Sequence, residues 1–443
     1  MGRRRSRKRL PEGEFEAEII DMGHDGRGVA RVDGKATFVH GALRGETVSF
    51  RYIKRSRSHD EGQVVTVKTA AENRVEPRCE HYGICGGCSL QHLEPTAQIQ
   101  AKQAVLLDNF RQLGQVSPDS VLPPITNDSP WGYRRKARLG VKDVARKGRV
   151  LVGFRERGSS LVADLRECHV LHPRVGKLLL PLSSLVESLS ISSRLPQIEM
   201  AMDDERCVLI LRILDPLSAE DEHLLNEFQA AHPVIFYLQE GGPDTVRPLK
   251  QAVDLYYTLP AYDLTLGFLP SDFTQVNTEI NRKMIARAID LLDPGPSDRV
   301  LDLFCGIGNF TLPIARYSQS TVGVEGDAGL VSRARANAQR NGLENVEFYT
   351  ADLYGELEAE PWMNRRYDKA LLDPPRSGAL QVLPLLPAMG VSRIVYISCY
   401  PGTLARDAGE LVRKHGYRLV SAGVMDMFPH TAHVESIALF EKV

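Results

Sequence analysis

The C-terminal half of the chain contains the stretch VLDLFCGIGNF, which runs from Val300 to Phe310. Its first residues are mostly apolar and are typical of a buried strand, and Gly306 and Gly308 are typical of a tight turn before a helix. Glycine lets the backbone pass close to a ligand, and a helix N-terminus offers free N–H groups. This order predicts a site for a nucleotide-type cofactor, although many nucleotide-binding folds share it.

The segments around this stretch alternate between strand-like and helix-like patterns. Strands are expected at 299–304, 320–324, 346–349, 369–372 and 393–397, and helices at 278–292, 310–317, 329–341 and 403–414. Such alternation predicts a parallel, doubly wound α/β sheet. The chain then ends in two strand-like runs, 418–424 and 434–440, which we expect to form an antiparallel hairpin. A parallel sheet closed by such a hairpin is typical of class I, Rossmann-like methyltransferases and not of dehydrogenases.

Acidic residues follow the second and third predicted strands. Glu325 lies about 20 residues after the glycine turn, where a carboxylate can accept hydrogen bonds from both ribose hydroxyls. Asp352 follows the third strand and can accept from an adenine amino group. A glycine turn and two carboxylates at three successive strand ends predict S-adenosylmethionine as the cofactor rather than a dinucleotide.

A cysteine and an aspartate follow the fifth and fourth predicted strands. Cys399 lies in the SCYP turn at 398–401, and Asp373 begins the DPPR motif at 373–376. Carbon 5 of uracil is a weak nucleophile, so its methylation requires a thiolate to add first at carbon 6. A free cysteine has a pKa of about 8.5, so the site must favour ionisation or take up the proton. We predict Cys399 as the nucleophile, Glu435 as the base that deprotonates carbon 5, and Asp373 as a positioning residue.

Two other methylation reactions are disfavoured by the DPPR motif. Amino methylation of adenine usually has an aromatic residue after the two prolines, and Arg376 occupies that position. Methylation of cytosine at carbon 5 typically uses a cysteine of the fourth-strand motif, which this motif lacks. Uracil therefore remains the favoured base.

The seven cysteines are unevenly distributed, and three of them lie close together. Cys79, Cys85 and Cys88 have the spacing C-x5-C-x2-C, and Cys168 follows at a distance. Zinc sites more often use two C-x2-C pairs, whereas three close cysteines and one distant cysteine suit a [4Fe–4S] cluster. Zinc and uncoordinated thiols remain alternatives. Radical chemistry is disfavoured, because it typically uses C-x3-C-x2-C with one iron left open.

Residues 14–70 alternate between apolar and polar positions and are interrupted by glycines. Short strands and glycine turns at this spacing predict a small β-barrel like an oligonucleotide-binding fold. We expect residues 51–59 to form a basic loop between two strands, which either contacts phosphates or is a solvated hairpin tip. The first nine residues contain six basic side chains, which either contact RNA or form a solvated tail.

The chain of 443 residues is long enough for several domains, and its net charge of −1 means that a nucleic acid must be bound by local basic patches. We expect a basic tail at 1–12, the barrel at 13–72, a central α+β domain at 73–268 and the methyltransferase domain at 269–443. No apolar stretch reaches about 18 residues, so we expect a cytoplasmic protein without a membrane span. Nothing indicates a protein partner, so we expect a monomer.

Several motifs together resemble the RNA uracil-C5 methyltransferase family. They are FTQVN at 273–277, DLFCGIGNF at 302–310, DPPRS at 373–377, SCYP at 398–401, ARD at 405–407 and HVE at 433–435. The resemblance implies that Cys399 is the nucleophile and Glu435 the base, and that Asp407 supports the cysteine turn. It also implies a [4Fe–4S] cluster on Cys79, Cys85, Cys88 and Cys168. The cofactor and substrate pocket would be lined by Gln275, Phe304, Gly306, Asn309, Glu325, Asp352 and Asp373.

The chain departs from the family at one position, since the cysteine turn usually reads Ser-Cys-Asn-Pro and Tyr400 replaces the asparagine. The segments MGHDGRGVA at 22–30 and GALRGE at 41–46 resemble a TRAM domain. Family members with both this barrel and the cysteine cluster act on 23S rRNA, which implies a flipped-out loop uridine, expected to be uridine 1939. Modification of a second rRNA site, modification of tRNA, and a non-catalytic RNA-binding assembly factor remain alternatives.

Overall fold

The computed structural model describes residues 10–355, 357 and 360–443. The chain forms two compact units. The first contains the described residues through Lys102 together with Phe428–His433, and the second contains Gln103–Met427 and Val434–Val443. The first nine residues of the predicted basic tail lie outside the described part.

The first unit begins with a six-stranded barrel. Its strands are β1 (Phe15–Glu18), β2 (Asp21–Met22), β3 (Gly28–Val32), β4 (Lys35–His40), β5 (Thr47–Arg55) and β6 (Asp60–Thr69). They are ordered β1-β5-β6-β4-β3-β2, and β1 continues almost directly into β2, which closes the sheet on itself. The interior is apolar and contains Ala17, Ile19, Ala30, Val39, Ala42, Val48 and Phe50. The predicted barrel is confirmed.

The predicted basic loop at 51–59 is mostly strand, so that prediction was wrong in its boundaries. Strand β5 continues to Arg55 and pairs with β6 through Arg55 opposite Asp60, which leaves only 56–59 as the connection. The long polar side chains can occupy a strand because cross-strand carboxylates pair with them, as Glu61 does with Lys54 at 2.6 Å.

The rest of the first unit is a cysteine-containing segment, the start of helix α1 (Pro95–Asn109) and the loop 428–433. The carbonyl oxygen of His430 accepts hydrogen bonds from the backbone N–H groups of Ser89 and Leu90, each at 2.9 Å. The side chain of Gln98 accepts from the N–H of His430 at 2.8 Å, and Lys102 donates to the carbonyl of Phe428 at 3.0 Å. A segment from near the C-terminus therefore completes this unit.

The second unit contains a mixed sheet and a separate hairpin in its N-terminal part. The strands are β7 (Ser120–Val121), β8 (Lys136–Val144), β9 (Arg149–Gly153), β10 (Gln197–Met202), β11 (Cys207–Arg212), β12 (Ile235–Gln239), β13 (Val246–Pro248), β14 (Leu255–Leu259) and β15 (Leu264–Phe268). The helices are α2 (Pro173–Gly176), α3 (Leu179–Ser188) and α4 (Ala219–Ala231). Strands β13-β12-β11-β10-β8-β9 form one sheet and β14-β15 the hairpin, as an α+β reading of this region predicts.

The C-terminal part of the second unit is a doubly wound sheet. Its strands are β16 (Arg299–Leu303), β17 (Ser320–Glu325), β18 (Val346–Thr350), β19 (Lys369–Leu372), β20 (Arg393–Ser398), β21 (Tyr417–Met425) and β22 (Glu435–Lys442). Its helices are α5 (Thr278–Leu292), α6 (Thr311–Ala315), α7 (Ala328–Arg340), α8 (Leu385–Ala388) and α9 (Pro401–His415). The strand order is β18-β17-β16-β19-β20-β22-β21-β7. Strands β16–β20 are parallel and β22 is antiparallel to both neighbours, so the predicted sheet and hairpin are confirmed.

Among the described residues, no helix combines the length and the apolar character needed to cross a membrane.

Candidate active site

The predicted site residues lie at one edge of the doubly wound sheet. Strands β16 and β19 are neighbours although two strands separate them in sequence, which makes their carboxyl ends a topological switch point. Parallel α/β sheets bind ligands in the crevice outside such ends. Phe304, Asp373 and Cys399 follow directly after β16, β19 and β20, and Glu325 is the last residue of β17.

Cys399 and Glu435 are brought together by the register of two antiparallel strands. Ser398 of β20 pairs with Ser436 of β22, so the next position in this register sets Cys399 opposite Glu435. The hydroxyl of Ser436 also donates to the carbonyl of Ser398 at 3.2 Å. Directly opposed residues lie on one face of a sheet, with Cβ atoms about 4.5–5.5 Å apart. The side chain of Glu435 is 9% exposed and therefore lies in a largely dry environment.

The thiol of Cys399 is held in its protonated form. Burial raises its pKa, the negative charges of Glu435 and Asp373 raise it further, and Arg376 acts in the opposite direction. The result is a pKa of about 11. At neutral pH the thiolate is therefore rare, and a nucleophilic role requires that the proton be transferred as the sulfur reacts.

Two carboxylates at the sheet edge have raised pKa values because they are buried. Burial raises the pKa of Asp373 to about 7. It raises that of Asp302 to about 8, although the Thr311 hydroxyl donates to this carboxylate, and the charges of Asp373 and Glu325 add to the increase. No cation among the described residues offsets this effect for either group. Oδ1 of Asp302, which is 0% exposed, has no hydrogen-bond partner within the described part of the chain.

The glycine turn has an open backbone. Phe304 and Gly306 have φ angles of 66° and 55°, and a Cβ atom added to Gly306 would meet no atom within 4 Å. Glu325 faces this turn, since its carboxylate accepts the N–H of Gly306 at 3.1 Å and that of Gly326 at 2.7 Å. The predicted turn is thus open toward a ligand and has a carboxylate beside it.

Two further predicted pocket residues lie near the third strand. The carboxylate of Asp352 accepts the N–H of Tyr354 at 3.0 Å. The ring of Tyr354 lies 5.8 Å from that of Phe304, between ring centroids. Aromatic rings and a carboxylate are thus grouped on the β16–β18 side of the crevice. Gln275 is half-buried in the segment that leads into α5.

Asn309, a predicted pocket residue that is half-buried, makes hydrogen bonds to two neighbouring segments. Its side-chain oxygen accepts the hydroxyl of Tyr257 at 2.8 Å and the amide of Asn281 at 3.1 Å, and its own amide donates to Asn281 at 3.0 Å. All of these bonds lie inside the protein. In this structure Asn309 therefore connects the glycine turn to α5 and β14.

Asp407 connects the loop after β19 to β20. Its carboxylate is fully buried and accepts the hydroxyl of Tyr396 at 2.6 Å and the N–H of Ala379 at 2.8 Å. Asp407 therefore holds β20, which leads into the cysteine turn, and the loop after β19, and it would support the turn through these two segments. The sequence did not predict roles for Tyr396 and Tyr354. The one available signal was Asp407 itself, an acidic residue on the apolar face of α9, which requires a buried hydrogen-bond donor nearby.

The predicted cluster ligands are distributed over both units. Cys79, Cys85 and Cys88 lie in one loop of the first unit, where the N–H of Gly87 points to the sulfur of Cys85 at 3.4 Å, and Cys168 belongs to the second unit. Within the described ranges, no group of three or more His, Cys, Asp or Glu side chains forms an arrangement that could hold a metal ion. The iron–sulfur cluster therefore stays a prediction.

Residues 258–443 match the family model described as tRNA (Uracil-5-)-methyltransferase. The chain is 55% identical over 444 residues to 23S rRNA (uracil(1939)-C(5))-methyltransferase RlmD of Alkalilimnicola ehrlichii, covering 100% of this chain and 99% of that relative. It is 54% identical over 442 residues to the protein of the same name from Xanthomonas campestris pv. campestris, covering 99% of both chains.

A solved structure shares the fold over nearly the whole chain. It is that of Pyrococcus abyssi tRNA (uracil-54, C5)-methyltransferase in complex with S-adenosyl-L-homocysteine, with a TM-score of 0.74, 21% identity, and coverage of 96% of this chain and 99% of that chain. At this identity the likeness concerns the fold alone. Because full-length relatives share more than half of its residues, the chain belongs to the RNA uracil-C5 methyltransferase family.

Proposed function

We propose that this protein transfers a methyl group from S-adenosylmethionine to carbon 5 of uridine 1939 in 23S rRNA. The substrate is that named for the relatives at 54–55% identity, which match the chain over its full length. The observation that carries the reaction type is the cross-strand pair of Cys399 and Glu435 at the carboxyl edge of the sheet. A thiol opposite a carboxylate is what covalent activation of uracil followed by deprotonation requires.

The reaction begins at the sulfur of Cys399. Because the thiol is protonated at neutral pH, its proton leaves as the sulfur bonds to carbon 6 of uracil, and Glu435 is the acceptor. The electron pair of the C5–C6 double bond moves toward O4 and leaves carbon 5 nucleophilic. Carbon 5 would then form a bond to the methyl group of S-adenosylmethionine as the bond from that methyl group to the positively charged sulfur breaks, with S-adenosylhomocysteine as the leaving group.

In the second half of the reaction, two bonds of the methylated ring are broken: the C5–H bond and the S–C6 bond. Glu435 first releases the thiol proton to solvent and then takes the hydrogen of carbon 5 as a proton. The electrons of that C–H bond re-form the C5–C6 double bond, and the electrons of the S–C6 bond return to Cys399. The proton on Glu435 then passes to the sulfur of Cys399, which restores the thiol and the carboxylate.

The carboxyl edge of the sheet fits a cationic cofactor. S-adenosylmethionine supplies a methyl group that is activated by a positively charged sulfur. Asp302 and Asp373 are buried carboxylates that no described cation offsets, and Oδ1 of Asp302 has no partner within the described residues. Glu325, Asp352, Gln275 and Phe304 would line the same pocket with the open backbone at Gly306. Asn309 would line this pocket as well, held by its hydrogen bonds to Tyr257 and Asn281.

The barrel is proposed to be a TRAM domain that contacts the RNA backbone, with domain limits at 72 and 268 as predicted. Arg57 in the short connection after β5 is exposed and is a candidate phosphate contact. Lys54 and Arg55 would have to exchange the carboxylates of Glu61 and Asp60 for phosphates. A monomer in the cytoplasm remains our expectation.

We further propose a [4Fe–4S] cluster on Cys79, Cys85, Cys88 and Cys168. Four thiols are the usual donor set, and an N–H group directed at a sulfur, as Gly87 is at Cys85, stabilises a thiolate ligand. Protein isolated without oxygen is expected to contain four iron and four sulfide ions and to absorb blue light. Zinc without iron in that preparation would contradict the cluster and leave the methylation proposal untouched.

The reaction is tested by trapping. RNA with 5-fluorouridine at position 1939 keeps fluorine where the proton must leave, so the wild-type protein with S-adenosylmethionine should form a stable, methylated protein–RNA adduct. Cys399→Ala should form none. Cys207→Ala, at a buried cysteine of β11 in the other sheet, is the matched control and should form the adduct normally.

Two results would contradict the proposal. Absence of an adduct with the wild-type protein, or an adduct with Cys399→Ala, would remove the covalent mechanism and favour a non-catalytic RNA-binding factor. Mapping of methyl groups in RNA from cells that lack the gene tests the substrate, because loss of methylation at a tRNA site or at another rRNA uridine would replace uridine 1939.

A further inference from the structure

Tyr400 is the residue directly after the nucleophile, and its side chain is 45% exposed. It occupies the N-cap position of α9, where its side chain makes no capping hydrogen bond. Asparagine, which the family usually has here, is among the best N-cap residues, because its oxygen accepts an N–H of the first turn. Tyrosine cannot fill that role, so local helix stability does not explain its presence.

The tyrosine ring is exposed but held in place. A Cβ atom on Gly402 would lie 3.0 Å from Cε1 of Tyr400, so the ring packs against the bare backbone of this glycine. The Tyr400 N–H donates to the hydroxyl of Ser398 at 3.2 Å, and its carbonyl accepts from the Thr403 hydroxyl at 3.1 Å. Glycine is unfavourable inside a helix, but here it leaves room for the ring.

The ring does not share the face of the thiol. Tyr400 has an extended backbone, with φ −145° and ψ 105°, and successive side chains of extended backbone point to opposite sides. The side of Cys399 faces Glu435 across the register of β20 and β22. A uracil bonded to the sulfur therefore lies on the other side of the chain from the Tyr400 ring.

We infer that Tyr400 stacks on the base of a nucleotide adjacent to the methylated uridine and so holds the RNA strand while the uridine is turned into the crevice. The inference rests on the proposed function, since it needs RNA with one base bonded to Cys399. A rigid, exposed aromatic ring is a stacking surface for any base, because every base has a π face. Tyr400 is thus a substrate-binding residue at the position where the family usually has asparagine.

A double-mutant cycle between protein and RNA tests this role. The probe is an RNA stem-loop that contains uridine 1939, prepared intact and with the base removed from the nucleotide on either side. Tyr400→Ala should weaken binding of the intact RNA about 5- to 150-fold, the range for loss of one stacked base. On one of the two RNAs that lack a flanking base, the same substitution should have almost no effect.

Three variants complete the experiment. Tyr400→Phe keeps the ring and should bind intact RNA within about twofold of the wild type. Tyr400→Asn, with the usual family residue, should bind as weakly as the alanine variant. Tyr317→Ala removes an equally exposed tyrosine, 45% exposed, that follows α6 at the opposite edge of the sheet, and should bind normally.

The outcomes separate this inference from the proposed function. If the wild-type protein traps fluorouridine RNA but Tyr400→Ala binds all RNAs like the wild type, the stacking role is wrong and the reaction stands. Equal weakening on intact and base-deleted RNAs, or a loss with Tyr400→Phe as large as with alanine, also overturns stacking. If the wild-type protein forms no adduct, the proposed function itself is at fault.

Discussion

The barrel and the carboxyl edge of the doubly wound sheet treat buried acidic groups in opposite ways. In the barrel, burial opposes ionisation of Glu46, but Arg74 and the N–H groups of Leu43 and Ala71 outweigh it, so the pKa of Glu46 is lowered. At the sheet edge, burial raises the pKa of Asp302 to about 8 because no cation offsets it. The barrel thus supplies a cation for its buried acid Glu46, whereas no cation among the described residues offsets the burial of Asp302 and Asp373 at the sheet edge.

The difference shows where the protein holds charge for structure and where it holds charge for a ligand. A buried carboxylate that is fully hydrogen-bonded stabilises the fold. A buried carboxylate without a cation destabilises it, and such groups concentrate at functional sites. The uncompensated acids here lie where the cationic cofactor is proposed to bind, so the stability that they cost is recovered when that cofactor is present.

The largest effect is expected for Glu435→Gln, which tests whether an acid of the sheet edge acts in chemistry. The amide keeps the shape but cannot take a proton, so turnover should fall about 10²–10⁴-fold and a methylated RNA adduct should accumulate on Cys399. Gel electrophoresis and mass spectrometry of the trapped complex measure both.

Glu441→Gln is the matched control for Glu435→Gln, since Glu441 lies on the same strand, β22, and pairs with Arg393 and Arg418 at the other end. It should turn over normally. Free product at the wild-type rate from Glu435→Gln would remove Glu435 from its proposed role.

A smaller effect is expected for Glu46→Gln in the barrel. The substitution weakens the interaction with Arg74, so the barrel should lose about 1–3 kcal/mol of unfolding free energy at pH 7. The folded-state pKa of Glu46 is below its ordinary value of 4.5. The stability that Glu46 contributes is therefore fully present above pH 4.5 and is lost as the pH falls through the folded-state pKa. Hydrogen exchange of barrel amides at pH 7 and below pH 4 measures it.

Glu16→Gln provides the comparison, because Glu16 pairs with Lys68 on the exposed surface. Surface pairs contribute little, so barrel protection should not change. If Glu46→Gln and Glu16→Gln had the same effect on hydrogen exchange in the barrel, Glu46 would not stabilise the barrel. The proposed difference between the barrel and the sheet edge would then be wrong.

The smallest effect is expected for Asp302→Asn and concerns pH. The pKa of Asp302 is about 8 in the folded protein and 3.8 as its ordinary value, so the folded state binds more protons between these values. The contribution of Asp302 to the free energy of unfolding therefore declines as the pH rises from about 4 to 8. The asparagine variant should lack this decline. Between pH 6 and 7 this decline is about 1.4 kcal/mol, so the ligand-free wild type should lose about 3–5 °C more in Tm than Asp302→Asn over that one pH unit.

Asp298→Asn is the control for this pH effect, because Asp298 pairs with Lys369 at 2.8 Å and its pKa is lowered. Asp298 stays ionised throughout this pH range, so the Tm of Asp298→Asn should change with pH as steeply as that of the wild type. Parallel curves for the wild type and Asp302→Asn would contradict an uncompensated acid at the sheet edge.

Much of the sheet and its edge could be predicted because the determinants are local. The strand before Gly306 is a short apolar run, and the terminal hairpin has two mostly apolar runs joined by the segment 425–433. Parallel strands bring their carboxyl ends to one edge, so Asp373 and Cys399 could be expected there. The pairing of Cys399 with Glu435 follows once the register between β20 and β22 is known.

The rest depended on contacts between distant segments. Asn309 receives hydrogen bonds from Tyr257 and Asn281, which lie 52 and 28 residues away in sequence, and no local pattern identifies these partners. The long basic strand β5 exists because acids on β6 pair with it, and composition alone suggested a loop. No local pattern identifies Cys168 as a fourth ligand, which only the family resemblance implies.

The loop 428–433 ties the completion of the first unit to residues that are synthesised more than 300 positions later. Gln98 and His430 are 332 residues apart in sequence, yet their hydrogen bond belongs to one compact unit. Domains usually fold in order as they leave the ribosome. Here the first unit lacks one of its segments until residues 428–433 have emerged, so a chain truncated before residue 428 should be defective in the first unit as well as in the sheet of the second.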